Sequence, residues 1–191
     1  MLVSSNDDLR TIALTEFARA GYAGTSLQRI AEIAGLSKSS VLYHFASKEA
    51  LLEAAIGPAL ERFESIVTKL EATEAAPADR ATFIADFVDL LLEHTAEVNM
   101  FINQAASLED VLAFERASGL AMRLGVYFAS QTHSALEHMR FGVALGGAAY
   151  VMASQQQYQI NPTPPIDETR AALITIVTEL LAPVPVRSTL S

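Results

Sequence analysis

Hydrophobic side chains recur along this chain with the period of a helix almost throughout. Leu9, Ile12, Ala13, Phe17 and Ala20 stand at i, i+3, i+4, i+8 and i+11, one stripe of a 3.6-residue period. Asn6 or Asp7 can cap the start of that helix, and Gly21 can end it in the left-handed conformation. Leu27, Ile30, Ala31 and Ala34 repeat the pattern until Gly35 breaks it. Thr25 and Gln28 have the spacing of a capping box ahead of that second helix. Ser37 can cap a third, short helix that turns Val41, Leu42 and Phe45 inward, and Ser47 can cap a fourth.

The remainder is equally helical in pattern. Residues 48–71 form one long amphipathic stretch, and residues 79–99 another, with Phe83, Phe87, Leu90, Leu91 and His94 on or near one face. Ser107-Leu-Glu-Asp110 has the form of a cap and first turn. It leads into a stretch carrying Leu112, Phe114, Leu120, Leu124, Tyr127 and Phe128. Thr132 or Ser134 opens a very apolar helix that runs to about residue 157. Residues 161–165 hold three prolines and form a rigid linker, residues 167–181 a last helix, and residues 187–191 a loose tail. There is no repeat and no strand-like alternation of useful length, so the expected fold is all-α.

Composition narrows the chemistry. The 191 residues suit one domain, or a small module joined to a larger one. A hydrophobic share of 51% against 18% charged residues supplies a core and excludes a disordered chain. The absence of cysteine excludes disulfides, iron–sulfur clusters, cysteine zinc sites and thiol nucleophiles. The polar N-terminus lacks the pattern of a signal peptide, and the longest apolar run, residues 141–153, falls short of the roughly 20 residues that span a bilayer. A soluble cytoplasmic protein with no membrane partner is expected. The net charge of −9 seems to argue against a nucleic-acid partner, but it is unevenly spread. Residues 1–50 carry five basic and five acidic side chains, whereas residues 51–191 carry eight and seventeen. Within residues 26–48 the balance is three positive to one negative, enough for a local positive face toward phosphate.

The most informative feature is the pair of short helices joined through Ala34-Gly35-Leu36-Ser37. A helix-turn-helix needs a short turn, often with glycine, to project its second helix into the major groove of DNA. At about 100° per residue, Ser39, Ser40, Tyr43 and His44 lie opposite Val41, Leu42 and Phe45, with Lys38 at the edge. Small residues near the start of that face allow close approach to base edges, and the tyrosine and histidine can donate to phosphate.

The run from Thr25 through Leu51 closely resembles the DNA-binding region of TetR-family transcriptional regulators. The matching marks are Thr25, Ile30-Ala31, Ala34-Gly35, Ser37-Lys38, Tyr43-His44-Phe45 and Ser47-Lys48-Glu49. The resemblance covers about the first 50 residues; beyond them only the layout matches. It implies a helix-turn-helix head over residues 1–48 and a helical body for ligand binding and dimerisation over residues 49–191. Thr25 and Ser26, at a helix N-terminus, would hold a phosphate. Lys38, Ser39 and Ser40 would face base edges, Tyr43 and His44 would contact phosphate, and Lys48 would clamp another. Two positions depart from the family's usage: members often carry glycine where this chain has Ser39, and many carry tyrosine where it has Leu42.

The family layout further implies a symmetric homodimer on a palindromic operator, with Gly142, Gly146, Gly147, Tyr150, Leu173 and Val177 of the last two helices at its interface. Phe63, Phe87, Leu91, His94, Met100, Phe101, Gln104, Phe114 and Tyr127 are the candidates for an effector pocket, with His94 and Gln104 as its polar members. The expected effector is a small apolar or aromatic molecule whose binding releases DNA, which makes the chain a repressor. Gly57-Pro58 inside the fourth helix predicts a bend there, and a place where ligand-driven shifts reach the head. An enzyme is not expected. There is no Glu-x-x-His pair, nucleophile elbow, Walker loop or dinucleotide fingerprint, and His133 with Glu137 is an isolated pair, so neither metal nor cofactor is implied. The alternative is a helical-bundle protein that binds a small molecule and no longer reads DNA.

Overall fold

In the computed structural model, residues 6–72, 77–108, 110–132, 134–158 and 164–182 are described, and the secondary structure among them is helical. The head begins with α1 (Asn6–Ala20), which buries Leu9, Ala13 and Phe17. Gly21 ends it with φ +82°, a conformation that costs a side chain with Cβ about 1–2 kcal/mol. After a loop come α2 (Leu27–Ala34) and α3 (Lys38–His44). Gly35 separates them in the left-handed region, its N–H reaching the carbonyls of Ala31 and Glu32. This sharp stop sets α3 across α2.

The N-cap of α2 is Ser26, whose hydroxyl accepts from the Arg29 N–H at 3.1 Å. The capping box expected from Thr25 and Gln28 does not form, and the cap lies one residue later. Thr25 is buried, and Gln28 donates to Glu32 instead. Ser37 and Ser47 cap α3 and α4 (Lys48–Glu71) as their positions predict, accepting from Ser40 and Ala50, both at 3.0 Å. Leu42 does not turn inward; it is 40% exposed. A helix of seven residues meets the head through one row, Val41 and then Phe45 a turn later, and Leu42 lies about 100° away from that row.

The body comprises α4, α5 (Pro77–Glu93), α6 (Thr95–Asn103), α7 (Ala105–Leu108), α8 (Leu112–Gln131), α9 (Ala135–Tyr158) and α10 (Ile166–Leu181). The single helix expected over residues 79–99 is broken at His94, where the backbone leaves helical geometry (φ −120°, ψ 38°). Thr95 donates its hydroxyl to the carbonyls of Leu91 and Leu92, the kind of back-bonding that bends helices. Likewise α8 starts at Leu112 rather than at Ser107, which belongs to α7. Helix α4 continues through Pro58, which has no N–H to give the carbonyl of Ala54. The proline linker falls mainly, and His133 and the C-terminal tail wholly, outside the described residues.

Two hydrophobic clusters hold the chain. One joins Phe17, Ile30, Val41, Leu51 and Leu52 to Met100, Leu108, Val111 and Ala117, so α6, α7 and α8 share the core of the head. The other packs Ile66, Val67, Phe83, Phe87, Leu91, Phe128, Leu145, Leu173 and Val177 inside the body. The rings of Phe128 and Phe141 stack at 4.1 Å. Each such buried side chain contributes roughly 1.5–3 kcal/mol. Arginines tie the helices across their outer edges. Arg170 of α10 grips Asp89 of α5 at 2.5 and 2.9 Å, and Arg123 of α8 grips Glu71 of α4 at 2.5 and 3.1 Å. Arg80 and Arg140 donate to the last carbonyls of α10, where positive charge complements the helix dipole.

Candidate nucleic-acid interface and body chamber

Val41 and Phe45 anchor α3 in the head, and its other side is open. Lys38, Ser39, Tyr43 and His44 are exposed, Tyr43 by 86%, while Ser40 is half-buried. The Ser37 hydroxyl bonds those of Ser39 and Ser40, each at 2.8 Å, and accepts from the Ser40 N–H. The three serines thus form a small network at the start of the helix. Tyr43 and His44 meet edge to face at 5.5 Å. Ser26 is exposed at the N-terminus of α2.

Two of the residues expected at phosphate have partners inside the head. The Thr25 hydroxyl donates to the carbonyls of Gly21 at 2.8 Å and Glu16 at 3.2 Å, inside the head. The Lys48 ammonium donates to the carbonyls of Tyr22 at 2.9 Å and Thr25 at 3.1 Å, and lies 4.2 Å from the centre of the Tyr22 ring. It closes the head internally, because the α1–α2 loop presents two carbonyls and an aromatic face to the first turn of α4. Other cations of the head are paired. Arg19 and Arg29 converge on Glu16 at 2.9 and 3.6 Å, and Arg10 pairs with Asp7. The hydrogen bond from Arg19 holds the Glu16 carboxyl below its ordinary range. Among the described residues, Lys38 has no ion-pair partner and stands beside the open face of α3.

In the body a chamber of about 360 Å³ opens between α4, α5, α6, α8 and α9. Phe63, Phe87, Leu91, His94 and Phe101 line it, as their helical spacing suggests. Met100, Phe101 and Phe114 border a smaller cavity of about 50 Å³ beside it. Tyr127 packs against Phe128 away from the chamber. Gln104 does not line this chamber either. Its amide donates to the Phe17 carbonyl at 2.9 Å, and its oxygen accepts from the Tyr22 N–H at 2.9 Å, so α6 is stitched to the end of α1.

The polar wall of the chamber is His94 with Glu97, Nδ1 to Oε1 at 3.0 Å. That hydrogen bond raises the His94 pKa above its ordinary 6.5, against an opposing effect of burial. Glu97 is absent from the residues singled out by sequence, although its i+3 spacing from His94 signals the pair.

Gly142 and Gly146, assigned to a dimer contact by sequence, line this chamber together with Gly125. A Cβ at any of the three, or at Gly147, meets nothing within 4 Å. Within the chain these glycines therefore create room rather than close helix contact. Leu173 and Val177 are also displaced from the expected interface. They are 8% and 0% exposed, packed in the body's own core because they face α5 and α9. The apolar residues of α9 and α10 that remain on the surface are Leu136, Met139, Val143, Tyr150, Val151, Ile166 and Ile176. Among the described residues no helix is long and apolar enough to cross a membrane.

A three-helix head with an open third helix, set on a hollow helical body, defines a helix-turn-helix protein of two-part build. Residues 10–55 match the family model of bacterial regulatory proteins, tetR family. The transcriptional repressor KstR2 of Mycolicibacterium smegmatis is 30% identical over 114 residues, 59% of this chain and 55% of that protein. The transcriptional regulator RutR of Escherichia coli is 49% identical over 49 residues, 26% of this chain and 23% of that one. The chain thus spans about half the length of the first of these relatives and a quarter of the second. The structure of the ketosteroid transcriptional regulator KstR2 of Mycobacterium tuberculosis has the same fold, with TM-score 0.68 and 16% identity over 95% of both chains. The likeness to the tetR family is thus one of the head, residues 10–55, and beyond it the solved structures share the fold alone.

Proposed function

We propose that this protein is a transcriptional repressor that binds a palindromic operator as a homodimer and leaves it when a small apolar molecule occupies the body. The observation that carries the reading is the open face of α3, with Lys38, Ser39, Tyr43 and His44 exposed on a helix fixed from behind by Val41 and Phe45. Ser39 and Ser40 read base edges once their bonds to Ser37 are exchanged. Lys38, Ser26, Tyr43 and His44 position the helix on phosphate. The dimer forms through α9 and α10, by the exposed stripe of Met139, Val143 and Ile176 rather than by Leu173 and Val177. Two recognition helices about 34–36 Å apart then meet successive major grooves.

Effector binding acts on DNA only if the two head positions bind effector unequally. Helix α6 is the physical link, with His94 and Glu97 on the chamber at one end and Gln104 bonded to α1 at the other. The test is a gel shift and footprint on DNA upstream of the protein's own gene, repeated over a range of salt. A protected palindrome, with affinity falling steeply as salt rises, is the expected result. Binding equally weak to every duplex would leave the chain a small-molecule binding protein.

A further inference from the structure

We infer that the body chamber takes a small apolar or aromatic molecule bearing a single oxygen acid, a carboxylic acid or a phenol, with that oxygen on Nε2 of His94. The inference rests on the reading of the chamber as an effector site and supplies the chemistry of the effector.

The chamber wall is hydrocarbon apart from one place. Phe63, Phe87, Leu91, Phe101 and Leu145 present only carbon, and the polar side chains are His94 and Glu97. Both are mostly covered, their side chains 19% and 14% exposed. Glu97 occupies Nδ1 of the ring, and Nε2 has no hydrogen-bond partner among the described residues. An apolar cavity wall with one unsatisfied ring nitrogen selects a ligand that is apolar with one polar group, because each additional polar group would lose its water without replacement.

The dyad also fixes the type of group. A carboxylate on one nitrogen makes the other a good base when the ring is neutral and a charged donor when it is protonated. An oxygen acid satisfies both forms with the same number of protons. It donates to neutral imidazole as O–H, or accepts from imidazolium as O⁻. A primary amide can donate N–H to the neutral ring or accept from the protonated one through its carbonyl, but it stays uncharged in both and makes the weaker bond, and an ammonium can bond the neutral ring only. Glu97 lies on the far side of the ring from Nε2, so the ring separates its charge from that of the ligand.

The test is isothermal titration of the full chain, without DNA, using phenylbutyric acid, its primary amide and phenylbutylamine. Expected is binding of the acid at least about tenfold tighter than that of the other two, a difference of about 1.4 kcal/mol. His94→Leu should remove the preference. Gly146→Leu should fill the chamber and remove binding of all three, with its circular dichroism and melting unchanged or improved, since a Cβ there meets nothing within 4 Å. Equal affinity for acid and amide, tighter binding of the amine, a preference surviving His94→Leu, or no binding of any probe would each overturn the inference. A gel shift without ligand tests the DNA reading separately, so the two fail independently.

Discussion

At Lys48 the ammonium is held by two backbone carbonyls and an aromatic face. Its removal should therefore weaken the free protein. Lys48→Ala is expected to lose about 1 kcal/mol, the low end for charged hydrogen bonds at a half-exposed site. Urea unfolding without DNA measures this as a lower midpoint at unchanged slope. An unchanged midpoint, together with uniformly weaker DNA binding, would return Lys48 to the phosphate role that its place in the motif implies. His94 gives a prediction in pH. Its folded pKa is raised above 6.5, first by the hydrogen bond it donates to Glu97. The stability this pairing contributes is full below the unfolded pKa and is lost as pH rises through the folded value. Unfolding free energies of the parent and of His94→Gln should differ most below the ordinary 6.5 and converge as pH rises through the folded value. A difference that grew with pH would contradict the pairing.

Helices were legible wherever one face had to be buried. The stripe of α1, the stops at Gly21 and Gly35, and the caps at Ser37 and Ser47 depend on neighbours in sequence, and periodicity records such neighbours. The break at His94 escaped because apolar spacing continues across it, while the cause is the Thr95 hydroxyl turning to carbonyls behind it. Side-chain roles were less legible. Thr25, Lys48 and Gln104 are polar residues whose partners are main-chain carbonyls or N–H groups set by the fold, and sequence does not locate these. Gly142 and Gly146 of α9 are small residues whose role within the chain, bordering a cavity, depends on helices remote in sequence. At this scale α6 is the element to test. Gln104→Ala should cut the link to α1 while leaving the chamber intact. Effector affinity measured by titration is then expected to hold within about twofold, and the effector should lose at least about tenfold of its power to release DNA, a coupling of about 1.4 kcal/mol. Release at the parental effector concentration would show that another route carries the signal.

The whole molecule divides its charge. Arginines of the body close its helices from outside, to Asp86, Asp89, Glu64 and Glu71, while the head keeps Lys38 beside its open helix. An acidic body facing away from a phosphate backbone reduces binding in any orientation except head-first. The proposed dimerisation through the remaining apolar stripe makes a further prediction. Val143→Asp combined with Ile176→Asp should halve the mass seen by sedimentation and abolish protection of a palindrome, while melting temperature shifts little because both side chains are already exposed. A variant that stays dimeric would move the interface elsewhere. The chamber beside Gly142 and Gly146 has one more consequence. Space enclosed by a folded chain is volume that unfolding gives back to solvent, so compression acts on it directly. If the chamber takes a ligand as proposed, the unliganded form should yield to hydrostatic pressure well before the liganded one, the hollow chain being softer than the filled one.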